Sequence, residues 1–301
     1  MTRLPADGER ETLRERLDAF LYLELAKLLL LIPERALVGV AGFGGNIVWA
    51  LSPKTRHTVG RNLARVTGES GRALSRRTRA AFRSYTQYWV EFFRLGRLSK
   101  EDLDRRLTIE GLDLLDSARA GGKGVILLGA HLGNWDIGGA WLGAHGYQVI
   151  AVAEQLRPER VFRYFAEVRQ GYGIEIIGMR KGMHITPLLC EAIERGRTVG
   201  LLCDRDLKRR GDPVTFFGAP TTLPTGAVRL AAETGAAVLV ADAYQVPGGW
   251  RAVIEGPLDM SRGVQAVAEA LEGLIRRAPE QWHLFQPLWP EDRSARGKHS
   301  P

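Results

Sequence analysis

The stretch GAHLGNWDIGGAWL (Gly129–Leu142) contains a change from one backbone pattern to another. The apolar run before it, Val125–Leu128, is typical of a buried strand, and a helical pattern begins near Trp135. Gly133 and the asparagine that follows it permit a tight turn between the two. His131 therefore lies just beyond the carboxyl end of a predicted strand, which is where ligands bind in open α/β sheets.

The chain after Thr108 alternates short β-rich runs with helical patterns. Such alternation is typical of layered domains, because parallel strands need a long connection that is generally a helix. We therefore predict the class α/β, with a mostly parallel central sheet flanked by helices and an N-terminal helical, membrane-associating segment. The predicted strands are 124–129, 148–154, 174–177, 198–203, 237–244 and 251–255, and the predicted helices are 135–145, 159–172, 186–195, 224–234 and 264–277.

The first third of the chain has the periodicity of helices, predicted over 17–32, 36–51, 54–66 and 72–95. The segment Leu17–Ile32 is very apolar, but it has 16 residues, fewer than the roughly 20 that a membrane span needs. Such a helix either lies on a membrane surface or packs beneath the domain. We predict one integrated domain with three regions. They are a helical membrane-associating region over 1–107, an α/β core over 108–290 and a loose basic tail over 291–301.

The composition of the 301 residues narrows the class of partner. Apolar residues make up 45% of the chain, enough for a full core, and the net charge of +8 favours partners that carry phosphate or an anionic membrane surface. No nucleic-acid-binding module is recognisable, so we expect no nucleic-acid partner. Cys190 and Cys203 lack metal-ligand spacing, so we expect no metal site and no disulfide framework, with Cys203 packed in the core.

His131 and Asp136 could form part of a catalytic triad. A turn would let the two side chains approach each other, and a carboxylate on one ring nitrogen would leave the other nitrogen as a general base. We find no serine in the loops at the strand ends, so the nucleophile would be a hydroxyl of the substrate. The alternative is that His131 caps a turn and Asp136 is an ordinary first-turn residue of a helix.

Charged side chains also follow the strand predicted over 198–203. Asp204 and Asp206 come directly after it, so their carboxylates could meet His131 at the same edge of the sheet. The basic run that begins at Arg205 could hold a phosphate, and we assign Arg205 and Asp206 to substrate binding. The alternative is a solvated loop of mixed charge.

A third group of charges surrounds the helix predicted over 159–172. Glu154 ends the strand before this helix, and Arg169 precedes a turn that contains two glycines. The arginines of this predicted helix form a basic face that suits a phosphorylated acceptor or the phosphates of a carrier. The alternative is a solvated helix surface.

Taken in this order, the segments resemble a known family, the bacterial lipid A biosynthesis type of lysophospholipid acyltransferase. AHLGNWD is similar to its HxxxxD box, VRQGYGIEII to its Arg-x-x-x-Gly segment, and DRDL with FFGAPTTLPTG to the two blocks that follow. NLARVTG, YTQYWVEFFRL, AEQLRPE and EQWHLFQPLW look more like the actinobacterial branch that acylates phosphatidylinositol mannosides. The likeness covers nearly the whole chain.

The resemblance implies transfer of a fatty acyl group from acyl-CoA, as co-substrate, to a mannose hydroxyl of a phosphatidylinositol mannoside. It implies no cofactor. His131 matches the general base of the family. In the mannoside branch a glutamate pairs with that histidine, and Asp204 stands at its position with a side chain one methylene shorter. Asp136 and Asp206 are the alternative partners of the imidazole.

The resemblance also implies that Glu154 and Arg169 lie in the substrate pocket. We predict that backbone N–H groups or a basic side chain, with Arg169 as the candidate, stabilise the oxyanion. The protein would work at the cytoplasmic face of the bacterial inner membrane, as a peripheral or monotopic membrane protein. Two other functions remain open: a lipid A-type or other glycolipid or lysophospholipid acyltransferase, and a non-catalytic lipid-binding protein of the same fold. An esterase would need a G-x-S-x-G elbow, which the sequence lacks.

Overall fold

A computed structural model describes residues 12–155, 157–179, 183–206 and 209–292 of the chain. Five helices come first: α1 (Leu13–Leu31), α2 (Glu34–Leu51), α3 (Pro53–Thr67), α4 (Gly71–Leu95) and α5 (Lys100–Arg106). An alternating part follows: β1 (Leu107–Glu110), α6 (Leu112–Ala120), β2 (Val125–Gly129), α7 (Trp135–Ala144), β3 (Val149–Glu154), α8 (Glu159–Gln170), β4 (Glu175–Met179), α9 (Thr186–Glu194) and β5 (Thr198–Leu202). The chain then forms β6 (Asp212–Phe216), β7 (Ala219–Leu223), α10 (Gly226–Thr234), β8 (Ala237–Val246), β9 (Gly249–Glu255) and α11 (Val264–Arg277).

A sheet of seven strands forms the centre of the alternating part, in the order β1-β9-β8-β2-β5-β3-β4. Its neighbouring strands are parallel except for β8 and β9. The predicted class, α/β with a mostly parallel sheet flanked by helices, is therefore confirmed. The strand that follows β2 along the chain is β3, but β5 lies between them, so β2 has β5 on one side and β8 on the other.

The central strand β2 is buried on both faces of the sheet. Val125, Ile126 and Leu128 are completely inaccessible to solvent. A parallel strand that is covered on both faces needs a continuous apolar run rather than an alternating one. This is why the run before His131 was recognisable as a strand in the sequence.

Helix α4 joins the N-terminal helices to the sheet. Its aromatic stripe was expected to be core, and Phe92 and Phe93 are indeed buried, in one cluster with Ile137 of α7 and Trp250 of β9. Phe82, further back on the same helix, is buried between α3 and the segment after α11. The first region and the α/β core therefore share hydrophobic clusters.

The stretch FFGAPTTLPTG was expected to be a shaped loop, but most of it belongs to a hairpin of β6 and β7. Phe217 and Gly218 form the turn, with φ angles of +49° and +73°. Two positive φ values are typical of a type I′ turn, whose twist fits an antiparallel pair. Pro220 argued against a strand, but in a ribbon of two strands each strand has a free edge that tolerates proline.

The helices α1 and α2 pack on the domain along one side and expose an apolar face on the other. On α1 the small residues Ala19 and Ala26 are buried, and the helix contacts α4 and α8. No single helix among the described residues is long and apolar enough to cross a bilayer, although 36–51 and 53–67 meet that test together at a bend of 103°. The exposed large apolar residues of the two helices are Leu13, Leu17, Phe20, Leu21, Leu25, Leu28, Leu31, Val38, Val40, Phe43, Ile47, Val48 and Leu51.

The predicted basic tail, 291–301, lies outside the described residues from 293 onward. Its second residue, Asp292, belongs to the fold: the side chain is buried, and its carboxylate pairs with Arg61 and Arg65 of α3. The expectation of a loose tail was therefore wrong for Asp292, because this buried carboxylate ties the end of the described chain to the N-terminal helices.

Candidate active site

His131 and Asp204 meet at the carboxyl edge of the sheet because their strands are neighbours. Strands β2 and β5 are parallel, and Gly129 lies opposite Leu202 at the end of the pairing. His131 and Asp204 each come two residues after this pair, so both lie at the same level beyond the sheet. The Nδ1 atom of His131 lies 2.6 Å from Oδ1 of Asp204. Of the three carboxylates considered for the imidazole, Asp204 is the one placed against it.

Asp204 is fully buried, and its charge is stabilised by hydrogen bonds. Burial alone would raise the pKa of this carboxyl group, but attraction to the imidazolium form of His131 and the hydrogen bond from its ring, aided by Arg205, hold that pKa well below its ordinary value. The indole N–H of Trp282 donates to the second oxygen, Oδ2, at 2.9 Å. Asp204 is therefore an oriented anion at neutral pH.

This anion determines which nitrogen of His131 is available for chemistry. A carboxylate only accepts hydrogen bonds, so Nδ1 of the neutral imidazole carries the proton and Nε2 has a lone pair. No described residue forms a hydrogen bond with Nε2. The His131 side chain is 22% exposed, whereas Asp204 is inaccessible behind it. The arrangement is that of a general base with an orienting carboxylate.

The turn that carries His131 is held from two sides. Gly133 has a φ of +58°, and a Cβ atom there would lie 2.1 Å from the carbonyl oxygen of Ala243, so only glycine fits. On the other side, the backbone N–H of His283 donates to the carbonyl of His131 at 2.7 Å. The segment that contains Trp282 and His283 thus fixes both the base and the carboxylate behind it.

Asp136 is not the partner of His131, so this part of the prediction was wrong. Asp136 is buried in the first turn of α7, where its oxygens accept hydrogen bonds from the guanidinium of Arg169 at 2.7 and 3.2 Å. The hydroxyl of Tyr88 also donates to it, at 2.9 Å. The start of α7 directs this carboxylate toward α4 and α8, away from the strand end that carries the imidazole.

Arg169 has its charge matched inside the protein. In addition to its ion pair with Asp136, its guanidinium carbon lies 5.2 Å from the ring centroid of Phe92. The geometry therefore assigns it a positioning contact, and its role at an oxyanion stays a prediction. Glu154 is exposed at the end of β3, which is separated from β2 by β5. Its role in substrate binding also stays a prediction.

Arg205 and Asp206 lie next to Asp204 but face protein groups. A guanidinium nitrogen of Arg205 donates to the carbonyl of His283 at 2.6 Å. The Asp206 carboxylate accepts from the Thr222 hydroxyl at 2.7 Å and from the backbone N–H of Gly211 at 2.9 Å. Although desolvation acts in the opposite direction, these bonds lower the pKa of Asp206. Their substrate-binding roles stay predictions.

Glu91 of α4 was missed by sequence reasoning. Its carboxylate accepts from the side-chain amide of Asn134 at 2.7 Å and from the Trp250 indole at 2.9 Å. Burial raises the pKa of this glutamate. Asn134 caps α7 through its other amide atom, so Glu91 fixes the turn after His131 from the side of α4. An acidic residue within an aromatic helix stripe was the available signal.

Asp242 of β8 was also missed. One of its oxygens accepts from the backbone N–H of Ala130 at 3.1 Å, directly before His131, while the other is buried without a partner among the described residues. Burial raises the pKa of this carboxyl group well above its ordinary value. A single aspartate within an apolar strand is the sequence signal for such a group.

Two further expectations concern metals and cysteines. Among the described residues, no three His, Cys, Asp or Glu side chains are grouped so that they could hold a metal ion. Cys203 is buried in the main hydrophobic cluster, as predicted, and Cys190 is partly buried.

The sequence of the chain is similar to those of known acyltransferases. The profile of the family described as bacterial lipid A biosynthesis acyltransferase matches residues 5–291. A phosphatidylinositol mannoside acyltransferase of Mycobacterium tuberculosis (strain CDC 1551 / Oshkosh) is 38% identical over 243 residues, which cover 78% of this chain and 77% of that protein. A protein of the same name from Mycolicibacterium smegmatis is 35% identical over 270 residues, covering 87% and 88%.

Proposed function

The chain belongs to the bacterial lipid A biosynthesis acyltransferase family and is an acyltransferase, and from this premise we propose that it moves a fatty acyl group from acyl-CoA to a mannose hydroxyl of a phosphatidylinositol mannoside. The observation that carries the proposal is the hydrogen-bonded pair of His131 and Asp204. Acyl transfer to an alcohol needs a base beside the hydroxyl, and Nε2 of His131 fits that role. The names of both relatives support a mannoside acceptor over a lipid A precursor.

The proposed reaction needs one proton to move twice. Nε2 of His131 takes the proton of the mannose hydroxyl while the oxygen attacks the thioester carbonyl carbon. The C–O bond forms, the C–S bond breaks, and the leaving thiolate of CoA receives the proton from the imidazolium. Asp204 stabilises the imidazolium in between, because its carboxylate is ionised and bonded to Nδ1. No group beyond the two substrates is consumed.

Aromatic rings beside the base offer an apolar surface for the acyl chain. The Trp135 ring lies edge-on to the His131 ring, with 5.3 Å between centroids, and stacks on Tyr88 at 4.3 Å. An apolar wall also excludes water from the thioester, which favours transfer to the sugar over hydrolysis.

The proposal includes attachment to the cytoplasmic face of the inner membrane, where a soluble thioester donor and a lipid acceptor meet. The exposed apolar faces of α1 and α2 support this location. A helix that packs along one side and exposes leucine, valine and phenylalanine on the other has the character of an interfacial helix.

The test combines an acceptor panel with two histidine variants. Purified protein is incubated with labelled palmitoyl-CoA and with a phosphatidylinositol mannoside, a lipid A precursor or a lysophospholipid. We expect labelled product with the mannoside, and a loss of about 10²–10⁴-fold in kcat for His131→Ala, the range typical of a general base. Asp204→Asn should lose activity in the same direction, because an amide does not enforce the same tautomer.

His145 provides a matched control. It also pairs with an aspartate, Asp104, at 3.0 Å, and its side chain is 19% exposed, but it lies at the far end of α7. His145→Ala should retain activity. Full activity of His131→Ala would refute the catalytic proposal, and product with the lipid A precursor but not with the mannoside would refute the acceptor.

A further inference from the structure

We propose that a row of four arginines on α4 binds the phosphate groups of anionic phospholipids and directs the protein to anionic membrane surfaces. The arginine row consists of Arg72, Arg76, Arg79 and Arg83. This inference rests on the membrane attachment proposed above, and it adds the class of lipid and the surface that recognises it.

The arginine row occupies one solvent-facing stripe of α4. Its members are separated by four, three and four residues, which places them on the same face of a helix. All four are exposed, and the other exposed positions of α4 are a glycine and a serine. The exposed face of this helix therefore carries four positive charges and no acidic residue.

Three members of the arginine row have no side-chain contact with an acidic group among the described residues, although Arg76 lies close enough to Glu69 to lower the pKa of that carboxyl group. Arg72, Arg76 and Arg83 form neither an ion pair nor a side-chain hydrogen bond with any residue that the structure describes. Three exposed arginines elsewhere in the described chain differ in this respect. Each of the following is paired with a glutamate: Arg195 with Glu191, Arg262 with Glu269, and Arg276 with Glu272.

The arginine row runs along the edge of the exposed apolar face of α2. A Cβ atom at Gly42 would lie 3.2 Å from Nη2 of Arg83, and Nε of Arg79 donates to the Asn46 side chain at 2.7 Å. Gly42 and Asn46 are one turn apart, and each is followed by a residue of the apolar face, a phenylalanine and Ile47. Apolar and cationic side chains are therefore neighbours on one surface.

The exposed positions of α2 complete this surface. From residue 36 to residue 51 the exposed residues are alanine, valine, glycine, phenylalanine, isoleucine and leucine, without a charge. Such a surface matches a bilayer in which apolar side chains enter the acyl boundary while guanidinium groups meet phosphates. Because the exposed face of α4 carries no acidic residue, we infer a preference for anionic over zwitterionic lipid.

The test measures binding of the full chain to two kinds of vesicle. One contains only phosphatidylcholine, and in the other one third of the lipid is phosphatidylglycerol. A triple variant, Arg72→Gln, Arg76→Gln and Arg83→Gln, is compared with a control triple variant, Arg195→Gln, Arg262→Gln and Arg276→Gln, which loses the same net charge. Acyl transfer to an acceptor dispersed in detergent confirms that each variant is folded.

We expect the unaltered protein to prefer the anionic vesicles, and this preference to fall at high salt. The arginine-row variant should bind anionic vesicles about 100-fold more weakly, since each arginine near a membrane surface contributes roughly a factor of five. The control variant should bind as the unaltered protein does. Both variants should keep their activity in detergent.

The outcomes separate this inference from the membrane attachment on which it rests. Equal binding of the unaltered protein to both vesicles would overturn the proposed role of the arginine row, and so would an equal loss of binding in both triple variants. Neither result would contradict attachment through the apolar faces. Failure of the unaltered protein to bind any vesicle would overturn the attachment and the inference together, while acyl transfer in detergent would be unaffected.

Discussion

At the scale of single residues, the site depends on buried groups that are held in one protonation state. Asp204 is inaccessible to solvent, but a ring N–H and an indole N–H donate to its two oxygens. A buried charge without such donors would be strongly destabilising. Burial of the Asp204 carboxylate costs solvation free energy, and the hydrogen bond to Nδ1 that offsets this cost also selects the tautomer of His131. Stability and chemistry therefore depend on the same contact.

His283 is the residue for which we predict a pH effect on stability. It is buried beside Ser84, whose hydroxyl lies 3.0 Å from Nε2, and burial lowers its pKa to about 3. The unfolded chain binds a proton there with a pKa of about 6.5, so between these two values the unfolded state holds more protons. His283 should therefore lower the free energy of unfolding by about 1.4 kcal/mol for each unit by which the pH falls below 6.5.

Urea unfolding across this pH window tests the effect. His283→Asn should be less stable near neutral pH, but its stability should fall less steeply with acid, by the equivalent of one proton. The control is the same substitution at His57, His57→Asn, because the side chain of His57 is exposed on α3 and is solvated in both the folded and the unfolded state. Parallel stability profiles for the unaltered protein and His283→Asn would contradict the prediction.

At the scale of elements, the β6–β7 hairpin depends on Asp206. The carboxylate accepts hydrogen bonds from Thr222 of β7 and from the backbone of Arg210 and Gly211, just before β6. These contacts connect the loop after β5, which carries Asp204, to the hairpin. Asp206 thus fixes the backbone that follows Asp204.

We predict that Asp206→Ala lowers the free energy of unfolding by about 2–3 kcal/mol, because it leaves three donors without their charged acceptor. Denaturant unfolding measures the loss. Asp212→Ala, at an exposed position of the same hairpin, should change stability by less than about 0.5 kcal/mol. An Asp206→Ala protein of unchanged stability with a raised KM would favour the substrate-binding role instead.

At the scale of the whole molecule, the N-terminal helices pack directly on the α/β part. Phe92 and Phe93 of α4 are buried against Ile137 and Trp250. At the other end of α4, Arg77 bridges Glu69 and Glu280, which lies after α11. The hydrophobic contacts and the ion pairs both connect α4 to the α/β part.

We therefore predict that a fragment spanning 108–292 does not fold cooperatively. Removing even one buried phenylalanine typically costs about 3–5 kcal/mol, and the loss of two approaches the whole stability of a domain. Near-ultraviolet circular dichroism and denaturant unfolding compare the fragment with a chain spanning 12–292. A cooperative transition in the shorter fragment would indicate two independent domains.

Local patterns along the chain were sufficient for most of the fold. The apolar run of β2, the turn at Gly133 and the start of α7 follow from residue type and neighbours alone. The alternation after Thr108 predicted the parallel sheet. The elements α5, β1 and α6 were not predicted. The strand β1 has only four residues and is defined by its pairing with β9.

The sequence by itself determined that an imidazole follows the strand β2 and that carboxylates end or follow other strands of the sheet. Only the tertiary structure decided which carboxylate serves the imidazole. Asp136 is five residues from His131 but is bonded to Arg169 and Tyr88, whereas Asp204, 73 residues away, lies at hydrogen-bonding distance. The reason is strand order: β5 inserts beside β2, and this long-range pairing leaves no periodic signal in either segment.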